Sequence, residues 1–366
     1  MSRLWWAQIK AVVRLEIKRT LFARRGLWIY VLALLPFLLF VVHAAVVSHD
    51  RDQSIRLAAR SQKHPTYQDL LAIKPDMTRQ EVIARLGNAP ARFHWRGQRA
   101  AKSGQLENTF HEIYHYSDGV NDLFVDLSDD KVVSANIREG SSISADSVVF
   151  AGVFQFFYLR LAIFFGCLGI FMNLFRGEIL DKSLHFYFLS PIRRDVLMIG
   201  KFLAGLLATC IIFVTSELLQ IFVFTSQFSP NVRDIYLYQN HGMAQAAAYL
   251  GVTALACLGY GAFFLAAGML FRNPILPAAA ILIWESVNPF LPALLKKFSV
   301  IYYLKSLCPV EIPTPLGTPP LLSLLVSNPD PVSTPVAIFG IVIVAVTVLY
   351  ASSFQARRME INYTSE

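Results

Sequence analysis

Arg160, Glu217 and Glu285 stand inside runs that otherwise hold almost nothing but hydrocarbon: FFYLRLAIF, VTSELLQIF and LIWESVNPF. An ionisable group in such surroundings is costly and normally faces protein or water, so each is either a substrate or gating position or half of a structural pair. A second pattern occupies FRGEILDKSLHFYFLSPIRRDVLMIGK, Phe175 to Lys201. There Arg176, Glu178, Asp181, Lys182, Arg193, Arg194, Asp195 and Lys201 separate two of the most apolar runs of the chain. Exposed charges in that setting suit docking onto a polar partner surface.

Covalent chemistry has no candidates. IGKF ends like a phosphate-cradling loop, but Asp195 stands where its first glycine belongs and Phe202 replaces the Ser or Thr. No HExxH, GxSxG or paired His/carboxylate motif occurs, so the chain reads as non-catalytic and as needing no cofactor of its own. His94, Trp95, His111 and His115 read as surface or packing residues and not as a metal centre. Cys167, Cys210 and Cys257 lie in apolar runs and Cys308 stands alone, giving no zinc spacing or disulfide framework. Small apolar packing is the role expected of all four.

These residues need a membrane around them. Of 366 residues, 55% are hydrophobic and 16% charged, against roughly a quarter charged in an average soluble domain. Six segments have the ~20 apolar residues of a span: 27–47, 148–175, 196–224, 243–271, 275–295 and 335–354. The expectation is an all-α polytopic membrane protein with six transmembrane helices and a small inserted α+β domain. The first run follows 26 basic-rich residues and exceeds the apolar region of a cleaved signal peptide. Arg3, Lys10, Arg14, Lys18, Arg19, Arg24 and Arg25 against Glu16 place residues 1–26 in the cytoplasm. Six crossings then bring the tail 356–366 and the loop 176–195 to the same side and leave 48–147 outside. The net charge of +8 lies largely beside apolar runs, which argues for orientation in lipid and against nucleic acid.

Within 1–26, Trp6, Ile9, Val13, Ile17 and Leu21 keep helical spacing while Lys10, Arg14 and Lys18 form another stripe. That pattern predicts an amphipathic helix in the cytoplasmic interface, its basic face toward lipid phosphates. Pro289 and Pro292 predict a kink or two half-helices in the fifth span. Gly251, Gly259, Gly261 and Gly268 predict close helix approach in the fourth. At ~1.5 Å per residue, Arg160 and Glu285 fall at similar depth, about 12 and 15 Å from the inner boundary, whereas Glu217 lies about 10 Å from the outer one. Depth therefore predicts an Arg160–Glu285 pair.

Leu180, Leu184 and Phe188 recur every four residues and predict a short helix that Pro191 ends, or else a solvated loop. Glu178, Lys182-Ser183-Leu184, Leu189-Ser190-Pro191-Ile192-Arg193-Arg194 and Gly200-Lys201 resemble the cytoplasmic loop of ABC-transporter permeases of the exporter class (ABC-2-like). Asp181-Lys182-Ser183 departs from that family's usual Gly-Thr segment. The resemblance implies a coupling helix in which Glu178, Asp181, Lys182, Leu184, Phe188, Pro191, Arg193 and Arg194 meet a separate ATP-hydrolysing subunit. It further implies a homodimer with two ATPase copies, ATP and Mg on those partners, export across a bacterial inner membrane, and second and fifth spans near the dimer interface and transport path.

In the external segment, Thr78-Arg79-Gln80-Glu81 has the form of a capping box, Val82, Ile83 and Leu86 give an apolar face, and Gly87 with Pro90 stops the helix. Thr66 to Leu71 predicts a shorter helix before it. FHEIYHYSDGVNDLFVDLSDDKVVSANI alternates between two turn signals and predicts a three-stranded antiparallel meander. KPDMTRQEVIARLGNAP followed by that meander resembles the SmpA/OmlA family, with Pro90 one residue late. Such a domain can gate the outer mouth, recruit an envelope protein or hold a dimer together. For the whole chain the alternative is a non-transporting sensor or anchor, or a machine that transmits force without moving a solute.

Overall fold

A computed structural model of the chain describes residues 2–22, 26–100, 106–180, 193–271, 275–313 and 332–358. It divides into two units, Met1–Val41 with Ile143–Glu366, and Val42–Ser142.

In the first unit α1 covers Ser2–Leu21, and α2, Leu27–Arg60, begins here and ends in the second unit. The next crossing is composite: α5 (Ile143–Gly152), a π-helical stretch (Val153–Ile163) and α6 (Phe164–Leu180). Then follow α7 (Arg194–Ser226), the short α8 (Pro230–Asp234), α9 (Gly242–Leu270), α10 (Ile275–Val287), α11 (Ala293–Lys296), α12 (Val300–Ser306) and α13 (Thr334–Arg358). Among the described residues five helical segments are long and apolar enough to cross a membrane: Leu27–Arg60, Ile143–Phe175, Arg194–Ser226, Gly242–Leu270 and Thr334–Phe354.

The expected fifth span, 275–295, is not among them. The 13 residues of α10 reach only about 20 Å, short of a ~30 Å hydrocarbon core. Pro289 then sits in a 3-10 turn, Asn288–Phe290, and Pro292 is the N-cap of α11. Proline supplies no N–H and fixes φ, so the helix stops and the chain turns back through α11 into α12.

The core of this unit is built around notches. Phe171 of α6 lies between α7 and α9, where a Cβ on Gly205 would come within 2.7 Å of its ring and one on Gly261 within 2.5 Å. Gly268 faces the Met172 backbone, and Gly259 receives Val300 of α12. Gly251, expected to serve the same purpose, has nothing within 4 Å of the added atom among the described residues. Phe164, Tyr260 and Phe264 pack edge-on beside this contact. Cys167 and Cys257 are buried in the core, and all four cysteines are free thiols.

The second unit contains the rest of α2, then α3 (Tyr67–Leu71), α4 (Arg79–Leu86) and four strands, β1 (Ala91–Ala100), β2 (Leu106–Ser117), β3 (Asp122–Ser128) and β4 (Lys131–Arg138). The sheet is antiparallel in the order β1-β2-β3-β4, so the three-strand expectation is one strand short. In β1 Phe93 and Trp95 alternate with Arg92 and His94, but the aromatic residues stay about half exposed, so the alternation marks no core face. Both helices begin in capping boxes: Thr66 with Asp69, and Thr78 with Glu81. Hydrogen bonds from the Thr78 backbone N–H and hydroxyl hold the Glu81 carboxyl below its usual range. Leu70, Val82, Leu86, Tyr114, Tyr116, Leu123, Val125, Leu127 and Val132 make one apolar core.

The alternate residues of β2 and β3 carry histidine and carboxylate together. Trp95 stacks on His111 at 4.4 Å, His111 Nδ1 lies 2.9 Å from Asp126 Oδ1, and His115 Nε2 lies 3.4 Å from Asp122 Oδ1. Ser54 Oγ of α2 donates to Asp122 Oδ2 at 2.7 Å, and Arg138 Nη2 meets Asp50 Oδ2 at 2.7 Å. Burial alone raises the Asp122 carboxyl, but the Ser54 hydrogen bond and the polar neighbours His115 and Ser117 outweigh it and hold the group below the usual range.

Candidate functional site

The roots of the charged stretch 176–195 meet α1 at a single buried ammonium. Lys201, on the first turns of α7, is fully buried; its Nζ donates to Glu16 Oε1 of α1 at 2.6 Å and to the Leu174 carbonyl of α6 at 2.9 Å, and lies 5.4 Å from the centre of the Phe175 ring. The close fit of α1 on α7 requires Gly200, where a Cβ would lie 2.8 Å from Val12 Cγ1. A buried charge is tolerated only when paired and hydrogen-bonded, and here both conditions hold. The amine is thus committed to Glu16 and Leu174 and does not project into a phosphate loop.

Beside this knot, the Arg193 guanidinium lies 4.8 Å over the Trp5 ring of α1 and 3.3 Å from Asp195 Oδ2. Asp195 Oδ1 accepts from Ser353 Oγ of α13 at 3.2 Å. One carboxylate therefore ties the start of α7 to the final helix. Arg194 is the exposed first residue of α7, and Glu178 belongs to the last turn of α6. Asp181, Lys182, Leu184, Phe188 and Pro191 lie outside the described residues.

Sequence reasoning missed Trp5, Glu16 and Ser353 as members of this site and counted Lys201 among the exposed charges of the stretch, whereas it is buried. Glu16 carried a signal, as the one acid among 26 basic-rich residues, and the burial of Lys201 was signalled by the long apolar run it opens. On α1 the side facing protein carries Val12 and Glu16, while Trp6, assigned to the apolar stripe, is 69% exposed.

Of the three intramembrane charges, Arg160 and Glu285 act on one another. Glu285 is buried near the end of α10 and accepts from Ser299 Oγ at 2.8 Å, from the Val300 N–H at 3.0 Å and from the Ile301 N–H at 2.8 Å. It caps α12, supplying oxygens to N–H groups that a helix start leaves without partners. The expected Arg160–Glu285 pair is formed only at a distance: the two charges act on one another, but among the described residues they make no direct ion pair, because Glu285 is engaged by α12 and Arg160, on the π-helical stretch, lies 5.6 Å over the Phe156 ring. Equal depth fixed neither residue's direction around its helix axis. Glu285 also borders a largely apolar groove of about 510 Å³ lined by Phe263, Trp284, Phe298, Ile343 and Thr347. Glu217 is fully buried on α7, away from the Lys201 knot.

No curated protein and no solved structure matches the chain. Residues 11–273 match the family described as ABC-2 family transporter protein, a stretch that runs from within α1 to just past α9 and includes Glu16, Arg193 and Lys201. With a match over most of its length and several helices fit to span a bilayer, the chain belongs to the ABC-2 family of transporter proteins, as a multi-pass permease subunit that works with a separate ABC ATPase subunit.

Proposed function

We propose that this permease couples ATP hydrolysis on its partner to export across a bacterial inner membrane through the stretch 176–195, with both termini cytoplasmic and the second unit outside. The observation that carries the reading is the Lys201 knot, which binds α1, the end of α6 and the start of α7 into one piece on either side of that stretch. A push delivered between Glu178 and Arg193 is passed to two spans and an interfacial helix together. Arg193 and Arg194 supply exposed cations at the exit of the stretch, and Glu178, Asp181, Lys182, Leu184, Phe188 and Pro191 are the other residues assigned to docking. The working unit is a homodimer with two ATPase copies, which hold the ATP and Mg.

Reversing three charges, Glu178→Arg with Arg193→Glu and Arg194→Glu, is expected to abolish co-purification with the partner ABC ATPase, while the permease itself remains folded by thermal unfolding in detergent. Retained co-purification and undiminished ATPase activity in the complex would show that docking occurs elsewhere.

A second reading, force transmission to an envelope protein without solute movement, draws support from α2, one 34-residue helix that contributes residues to both units. Two capped helices on an antiparallel sheet also support the SmpA/OmlA-like reading of the second unit. ATPase activity in liposomes that rises with a transported substrate favours export; activity that rises only with an envelope protein bound to the second unit favours force transmission.

A further inference from the structure

Glu217 presents two carboxyl oxygens to the interior of the first unit, and neither has a hydrogen-bond partner among the described residues. Three more buried oxygens share that condition: Gln220 Oε1, the Tyr249 hydroxyl and Thr253 Oγ1. Glu217 and Gln220 are three apart on α7, and Tyr249 and Thr253 four apart on α9, so each pair shares one helix side. The two helices pack against each other, and the charge of Glu217 acts on Tyr249. It also acts on Tyr158 of the π-helical stretch and on Cys308 just beyond α12.

The neighbouring donors are directed elsewhere. The Tyr158 hydroxyl donates to the Phe213 carbonyl, Ser216 Oγ donates to the Ala33 carbonyl, and Gln220 Nε2 donates to the Ser216 carbonyl and hydroxyl. This leaves a carboxyl, an amide carbonyl and two hydroxyls, an all-oxygen set with one ionisable acid. Hard cations favour such oxygen ligands, and a carboxylate withdrawn from water without a counter-charge is strongly unfavourable. Arg160 acts on Glu285 and on Lys305, and Lys305 acts on Cys308.

We propose that Glu217, Gln220, Tyr249 and Thr253 form an intramembrane site for one small monovalent cation, a proton or Na+, whose charge neutralises the Glu217 carboxyl. The site stands on different residues from the ATPase-docking stretch and is independent of how that stretch works.

The test uses the full-length chain in lipid nanodiscs. Thermal unfolding is compared in NaCl and in choline chloride at equal ionic strength, and infrared difference spectra are recorded across neutral and alkaline pH. A rise in unfolding temperature with Na+ that Glu217→Gln removes identifies sodium. A protonated-carboxyl stretch at neutral pH that is insensitive to Na+ and disappears in Glu217→Gln identifies the proton. Tyr249→Phe and Thr253→Val, which keep shape and remove one oxygen each, are expected to raise the Na+ concentration for half-effect about tenfold or to shift the carboxyl stretch. They also serve if Glu217→Gln fails to fold. Absence of both a sodium effect and a Glu217 carboxyl stretch, or Tyr249→Phe and Thr253→Val proteins identical to wild type in both readouts, would overturn the proposal and leave ordered water as the occupant.

Discussion

Lys201 and Glu16 lie 185 residues apart and meet with almost no exposure to water. Removing one member of such a pair strands the other charge, and about 3–5 kcal/mol is typical of that loss. Lys201→Met and Glu16→Leu are each expected to lower the unfolding temperature in detergent sharply, and the double variant to recover a large part of the loss, because two apolar side chains of similar volume can replace a buried pair. Simple addition of the two single effects would mean that the residues do not act as a pair. The composition of this site was legible as an isolated acid and an isolated lysine in apolar sequence, but the contact was not, because nothing local links positions so far apart. Glu285 teaches the same point from the other side. Its burial was legible, whereas its partners are the Ser299 hydroxyl and the backbone N–H groups of Val300 and Ile301, which no local pattern announces.

Helix packing supplies the next prediction. Phe171 fills the notch formed by Gly205 and Gly261, and a Cβ on Gly261 would stand 2.5 Å from the ring, closer than atoms tolerate. Gly261→Ala is expected to destabilise the membrane unit by about 1–3 kcal/mol, the usual range for overpacking, seen as a lower unfolding temperature. Adding Phe171→Leu to Gly261→Ala should restore much of the loss, and failure to do so would show that the notch is not the cause. The spans themselves were readable because length and apolar composition suffice to mark them. The π-helical stretch was not, since Val153–Ile163 has the same apolar composition as the α-helix that follows. The proline break after α10 was readable, but the consequence that α10 alone is too short to cross was not drawn from it.

At the scale of the whole chain, the two units make separate demands. Residues 42–142, expressed alone, are expected to fold as a soluble α+β protein with dispersed amide resonances, because Leu70, Val82, Leu86 and the sheet share one core. A cut at residue 60 would discard Asp50 and Ser54, which bind Arg138 and Asp122. Since the folded Asp122 carboxyl lies below its usual range, its stabilising contribution is present above about pH 4 and disappears as pH falls through the folded value. Thermal unfolding of this fragment should therefore weaken on acidification, with a shallower acid limb in Asp122→Asn; identical profiles would remove Asp122 from the account. The helix caps of this unit were legible from Thr78 and Glu81, but β1 was not, because its alternation does not distinguish a core face from an exposed one. The π-helical run Val153–Ile163 gives the permease something like a clutch. Each backbone hydrogen bond there spans one residue more than in an α-helix, so tightening it to α-geometry would rotate α5 about its own axis relative to α6 without parting the crossing. Arg160 rides on that stretch, and its guanidinium would sweep around the axis like the hand of a dial.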